Sequence, residues 1–264
     1  MPVFLFLGAS VGSFISLVSI RAPKGESLIY PPSKCDQCKN QLNWYDNIPI
    51  ISWILLDGRC RKCKSKIAIR NILLEIVGLI IFGIAFFSQP TNFIGSYEIL
   101  VILFGCIFFS ILLLLTVIDI DYLILPRKLC FFGILTGLLS TYLLTFEFDA
   151  TYFIGHIFIE HFSSAFIGLL LFKFFGIIVS SIIGKKAIGS GDAYLAAMIG
   201  AWLGLSGLLL TIINSIFIGG SYCSYGLLSK KISRGDLIPF GPFLSLGGLL
   251  VWALGNEFWI KLFY

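Results

Sequence analysis

Two aspartates are placed for chemistry: Asp119 in TVIDIDYLILP and Asp192 in AIGSGDAYLAA. Each abuts a long apolar run, where an ionised carboxylate is costly and is usually kept for function. Two carboxylates brought together in a semi-dry site can share a proton, leaving one neutral and one ionised. Hydrolysis of a peptide bond by water needs that combination. Asp121 is nearer water and reads as an auxiliary residue, and Pro126 resets the chain before the next helix. Taken alone, Asp119 and Asp121 read more readily as solvated helix-end charges paired with Arg127 and Lys128. Gly189 and Gly191 flank Ser190 just before Asp192. Glycines there permit backbone geometries closed to other residues and let a substrate backbone approach. By itself the GSGD stretch fits an N-cap at Ser190 or Asp192 equally well. A second aspartate on the same face of the membrane tips the reading towards catalysis.

The second constellation is Cys35-Asp-Gln-Cys38 and Cys60-Arg-Lys-Cys63, two CxxC knuckles separated by 21 residues. Four thiolates at about that spacing close a tetrahedral zinc site. Lys34, Lys39, Arg59, Arg61, Lys62 and Lys64 offset its negative charge and favour ionised sulfur. Two disulfides are the alternative, which a reducing cytoplasmic location disfavours. With all four positions taken by sulfur the metal is structural, folding a segment too small for a core of its own. Between the knuckles, Trp44, Tyr45, Ile48, Pro49, Ile50, Ile51 and Trp53 suit either the bilayer surface or a cover over the helices.

These residues sit in a chain that no soluble domain resembles. Of its 264 residues 58% are hydrophobic and 12% charged, and the mean hydropathy is +0.96, which indicates an all-α polytopic membrane protein. Uncharged runs cover 2–20, 76–97, 99–118, 129–146, 193–229 and 237–256, and 162–184 is broken only by Lys173. The run 193–229 would reach ~55 Å as one helix, against a hydrocarbon core of ~30 Å. A turn at Gly204-Leu205-Ser206-Gly207 divides it, giving eight spans. Segments 21–75, 119–128, 184–192 and 230–236 hold 17 of the 19 Lys and Arg residues. With eight spans all four fall on one side, the loops 90–98, 147–161 and 204–207 on the other. The positive-inside rule makes the basic side cytoplasmic, puts both termini outside and brings Asp119 and Asp192 to the same face. His156 and His161 lie on the opposite side. Lys173 lies mid-span and is expected to face the bundle interior or a wet crevice. Arg70 and Glu75 read as anchors at the mouth of the second span, and Gly8, Gly12 and Ser13 as a close helix contact. The first run has no basic stretch before it and reads as a retained helix.

Nearly the whole chain resembles the bacterial type IV prepilin peptidases, a family of GxGD membrane aspartyl proteases. The resemblance rests on Gly12-Ser13-Phe14, Arg21-Ala-Pro23, the CxxC pair enclosing WYDNIP at 44–49, and Ile69-Arg70 with Leu74-Glu75. It continues with Asp119 seven residues before Pro126, the GSGD stretch, and Ile238-Pro239-Phe240-Gly241-Pro242-Phe243. It implies that Asp119 and Asp192 are catalytic, with Gly189, Gly191, Asp121 and Pro126 supporting the catalytic loops. It also implies cleavage of a basic leader after a glycine in prepilins or pseudopilins, followed by N-methylation with S-adenosylmethionine. The implied location is the bacterial cytoplasmic membrane, with lipids and precursor proteins as partners and no nucleic acid. The implied layout is a first helix over 1–20, a zinc module over 21–70 and a seven-helix peptidase core over 71–264. Two positions depart from the family pattern: Ser16 stands where Asn is frequent, and Tyr194 where Lys is. Two other classes compete: an ion-coupled transporter and a non-enzymatic zinc-stapled scaffold of a secretion or pilus assembly.

Overall fold

The computed structural model describes residues 1–88, 96–147, 151–183, 189–233 and 236–263. Apart from one 3-10 turn at Trp44–Asn47, its regular elements are α-helices. They are α1 (Pro2–Arg21), α2 (Ile51–Leu55), α3 (Ile69–Phe87), α4 (Ser96–Tyr122), α5 (Arg127–Glu147), α6 (Thr151–Ile183), α7 (Ser190–Leu228) and α8 (Gly241–Phe263). Among the described residues six helices are long and apolar enough to cross a membrane.

The 39-residue α7 is not one rod. Gly204 takes φ +69° and ψ −173° within it, a left-handed conformation that glycine adopts at little cost. In an unbroken helix Ala196 and Leu208 would be ~18 Å apart. Yet a Cβ built at Gly168 of α6 would lie 2.9 Å from the Ala196 carbonyl and 3.1 Å from a Leu208 methyl. The chain therefore turns back at Gly204, at the start of the expected turn. The two passes of α7, together with the shorter apolar stretch Gly241–Gly255, bring the apolar passes to eight.

The chain divides into two compact units. The first holds α1, the cysteine segment, α3 and residues Gly105–Leu114 of α4. Here α1 packs along α3, with Gly8 facing Gly78 and Gly12 facing Leu74 so closely that neither has room for a Cβ, the close approach small residues allow. In the second unit α7 packs against α5, α6 and α8, and α5 against α6.

Two boundaries differ from the sequence reading, for one physical reason. The second span begins at Ile69 rather than 76, because its early polar residues are satisfied inside the fold. Arg70 donates to Ser19 Oγ at 2.8 Å, Ser16 Oγ donates to Asn71 at 2.9 Å, and Glu75 accepts the Ile50 amide at 2.7 Å. Likewise α6 starts at Thr151, so most of the expected loop 147–161 is helical. There His161 Nδ1 lies 3.0 Å from the Ala201 carbonyl and 3.2 Å from Thr141 Oγ1.

Candidate metal centre and carboxylate pair

The four knuckle sulfurs converge. The Sγ atoms of Cys35, Cys38, Cys60 and Cys63 all lie within 4.8 Å of one another, so the cluster can hold a metal ion. All seven cysteines are free thiols, and Cys35 and Cys63 are 3.7 Å apart, far beyond the ~2.05 Å of a disulfide. The two knuckles are copies of one device. Each starts from an isolated antiparallel bridge, Lys34 with Gln41 and Arg59 with Lys66. In each the first cysteine's amide donates across the loop, Cys35 to Asn40 and Cys60 to Ser65. In each the lysine after the second cysteine turns left-handed, Lys39 at φ +55° and Lys64 at φ +58°. The signal is in the sequence, as KCDQCKNQ at 34–41 and RCRKCKSK at 59–66.

The electrostatics of the cluster suit a cation. The Cys38 backbone N–H and the Ser65 hydroxyl pull the Cys35 thiol down to about 6, and Ser65 hydroxyl and amide pull Cys63 down. The Asn40 amide acts the same way on Cys38, but desolvation and crowding by the other three sulfurs outweigh it and push that thiol up to about 11. Four thiolates in this space need a bound cation to ionise together. Ser65 Oγ, 3.0 Å from Cys63 and 3.6 Å from Cys35, escaped the sequence reading, because a serine carries no signal until the loop brings it onto the sulfurs. Arg61 closes the module from outside, paired with Asp46 at 2.9 Å and lying 5.1 Å from the Tyr45 ring centre.

The aspartates occupy the second unit. Helix α4 runs three residues past Asp119, so this carboxylate lies in the last helical turn and is only 5% exposed. Leu123, at φ +55°, ends the helix and returns its N–H to the Asp119 carbonyl at 2.9 Å. Pro126 then opens α5, its carbonyl accepting from Leu129 and Cys130. Asp192, 7% exposed, sits in the first turn of α7. Each carboxylate takes one backbone hydrogen bond at 3.1 Å: Gly241 N–H donates to Asp119 Oδ2 and Gly189 N–H to Asp192 Oδ2. Asp119, through Gly241, and Asp192, through its neighbour Gly191, both border Leu125, and among the described residues neither carboxylate is in an ion pair.

Leu125 keys this site together. A Cβ at Gly191 would fall 2.6 Å from Leu125 Cβ, and one at Gly241 would fall 2.6 Å from Asp119 Oδ2 and 3.4 Å from Leu125 Cδ1. The glycines are thus required by close packing. The expected freedom of backbone angle is not used: Gly189 has φ −68°, and Gly191 is not among the glycines with positive φ. Asp121 is exposed and outside the buried pair. Gly241, in the motif that opens α8, was not singled out as a partner of Asp119, since a backbone donor leaves no trace in residue type.

Beside Gly189 and Ser190, α6 and α7 line an open crevice of about 530 Å³ that Lys173, Ser180 and Ser181 also border. Lys173 Nζ lies 5.7 Å and Arg127 5.5 Å from the centre of the Tyr194 ring. Lys173 thus faces a crevice, as its mid-span position suggested. Lys185 and Lys186 lie outside the described residues.

Comparison with known proteins points to one family. Residues 6–89 match the bacterial peptidase A24 N-terminal domain and residues 106–224 the type IV leader peptidase family. A prepilin leader peptidase/N-methyltransferase of Myxococcus xanthus is 35% identical over 212 residues, 79% of this chain but 58% of that relative's length. A protein of the same name from Stutzerimonas stutzeri is 30% identical, covering 96% of this chain and 90% of the relative. A type 4 prepilin-like proteins leader peptide-processing enzyme of Escherichia coli O78:H11 is also 30% identical, covering 94% and 92%. No solved structure matches. The chain is a membrane protein of the type IV leader peptidase family.

Proposed function

We propose that this protein is an aspartyl endopeptidase of the bacterial cytoplasmic membrane that cleaves the leader of type IV prepilins or pseudopilins. Cleavage follows a glycine at the cytoplasmic face, and Asp119 and Asp192 are the catalytic pair. The observation that carries the reading is two buried carboxylates, on α4 and α7, each fixed by a single glycine amide and both bordering Leu125. The names of the relatives support the substrate class and the methyl transfer.

In this mechanism the pair holds one proton and titrates as a unit. The ionised member takes a proton from a water between them, and the resulting hydroxide attacks the scissile carbonyl carbon. The neutral member gives its proton to the carbonyl oxygen. Collapse of the tetrahedral gem-diol breaks the C–N bond: the leaving nitrogen takes a proton from the member that had received one from water, and one gem-diol hydroxyl returns its proton to the other member as the new carboxyl C=O forms, which restores the singly protonated pair. Gly241 and Gly189 each occupy one oxygen of their aspartate, leaving the other for water and substrate. A glycine in the substrate eases the local unwinding that exposes its peptide bond.

The cysteine quartet fits zinc by its all-sulfur donor set and its amide and hydroxyl donors. A zinc ion held by Cys35, Cys38, Cys60 and Cys63 would supply folding energy to the module, and no catalytic step passes through it. S-adenosylmethionine is a different case. Among the described residues the crevice beside Gly189 offers one ammonium and no carboxylate, a lining that does not suit a donor bearing a sulfonium and an ammonium. Methyl transfer therefore rests on the relatives.

The test is purified protein incubated with a prepilin-type precursor, the products read by mass. Cleavage after glycine by the wild type and none by Asp119→Asn or Asp192→Asn is the expected result. An uncleaved precursor with wild type overturns the activity, and cleavage by either variant overturns the catalytic assignment.

A further inference from the structure

The segment between the knuckles carries an apolar surface turned outwards. Residues 47–56 form an uncharged run, NIPIISWILL, between Asp46 and Asp57. Within it α2 exposes Ile51, Ile54 and Leu55 by 51, 61 and 77%. Positions i, i+3 and i+4 share one helix face, while Ser52 and Trp53 turn inwards as half-buried residues. The 3-10 turn packed beside α2 exposes Trp44 by 79%. In water such a face is a liability; at a bilayer surface it is an anchor.

The fold fixes the depth of this face. Ile50, immediately before α2, takes φ +62°, a region a β-branched residue avoids. Its amide is held by the buried Glu75 carboxylate at 2.7 Å. Glu75 is six residues into α3, ~9 Å along the axis from Ile69, where that apolar span begins. The outward residues of α3, Ile69, Leu73, Ile76 and Ile80, recur as one exposed stripe, as a lipid-facing side does. Helix α2 is therefore pinned beside a membrane-crossing helix at about the depth to which interfacial helices sink, ~5–10 Å into the boundary between headgroups and acyl chains.

We propose that Ile51, Ile54 and Leu55 form a foot inserted into the acyl boundary of the leaflet at which α3 begins. Trp44 lies at the headgroup level and the cysteine cluster is held against the membrane surface. The proposal depends on the membrane location of α3 and not on the peptidase reading, so the two stand or fall separately.

The experiment uses the full chain in nanodiscs, with Ile54→Trp and Leu55→Trp each compared with the wild type and its five tryptophans. The emission added by the new tryptophan should lose most of its intensity when acyl-brominated phosphatidylcholine replaces the ordinary lipid. It should resist aqueous iodide. Added emission quenched by iodide and not by brominated lipid would place the foot in water. Emission quenched by neither would place it against protein, this chain's own or a second copy's. Either result overturns the proposal.

Discussion

The cysteine module and the carboxylate pair solve opposite problems. The module has almost no core: of its four cysteines only Cys60 is buried, and bridges and tight turns bring the sulfurs together. There the chemistry-bearing residues must hold the fold. Around Asp119 and Asp192 the fold holds the chemistry. Helices α4, α7 and α8 bring glycines and Leu125 into contacts so close that the carboxylates have little freedom. Removing a cysteine should therefore undo the structure of the first region, whereas removing a carboxylate should abolish the chemistry of the second and leave its structure standing.

The strongest test of that contrast is a double dissociation. Asp192→Asn should lower precursor cleavage by at least about 10³-fold and leave metal content and thermal unfolding unchanged. Cys60→Ser should abolish stoichiometric metal binding and open the module to trypsin at Lys34 to Lys66, as metal analysis and limited proteolysis would record. The membrane helices should unfold as before. The next effect is smaller and concerns geometry. Gly191→Val drives a side chain into Leu125 and should cost about 10²-fold in turnover, the scale of a misplacement of about 1 Å. Gly189→Ala should cost little by the same assay, because its Cβ meets only the Asp192 carboxylate at 3.2 Å. If the two glycine variants behaved alike, close packing would not be the reason for Gly191. The smallest effect belongs to Ser65→Ala, which removes a hydroxyl from two sulfurs and should weaken metal affinity by about 10-fold in a chelator competition.

Much of this was legible beforehand because long-range order in a membrane protein leaves a coarse imprint. Charge asymmetry and span parity brought Asp119 and Asp192 to one face, and the length of 193–229 demanded a reversal, which falls at Gly204. What escaped was local. The start of α3 was missed because Arg70, Asn71 and Glu75 look like loop residues until Ser19, Ser16 and the Ile50 amide satisfy them. Gly241 and Leu125 were missed as site residues because a backbone N–H and a packing contact are not properties of residue type. The glycines of GSGD were noticed for a freedom of angle they do not use; contact is what excludes a side chain at Gly191.

The central claim is that Asp119 and Asp192 act as one catalytic couple. Its most direct test measures cleavage of one purified precursor by Asp119→Asn, Asp192→Asn and the double variant, with equal folded protein confirmed by thermal unfolding. A couple requires each single variant to be as inactive as the double, because neither carboxylate can do its part without the other. Appreciable cleavage by a single variant, or losses that multiply in the double, would contradict it.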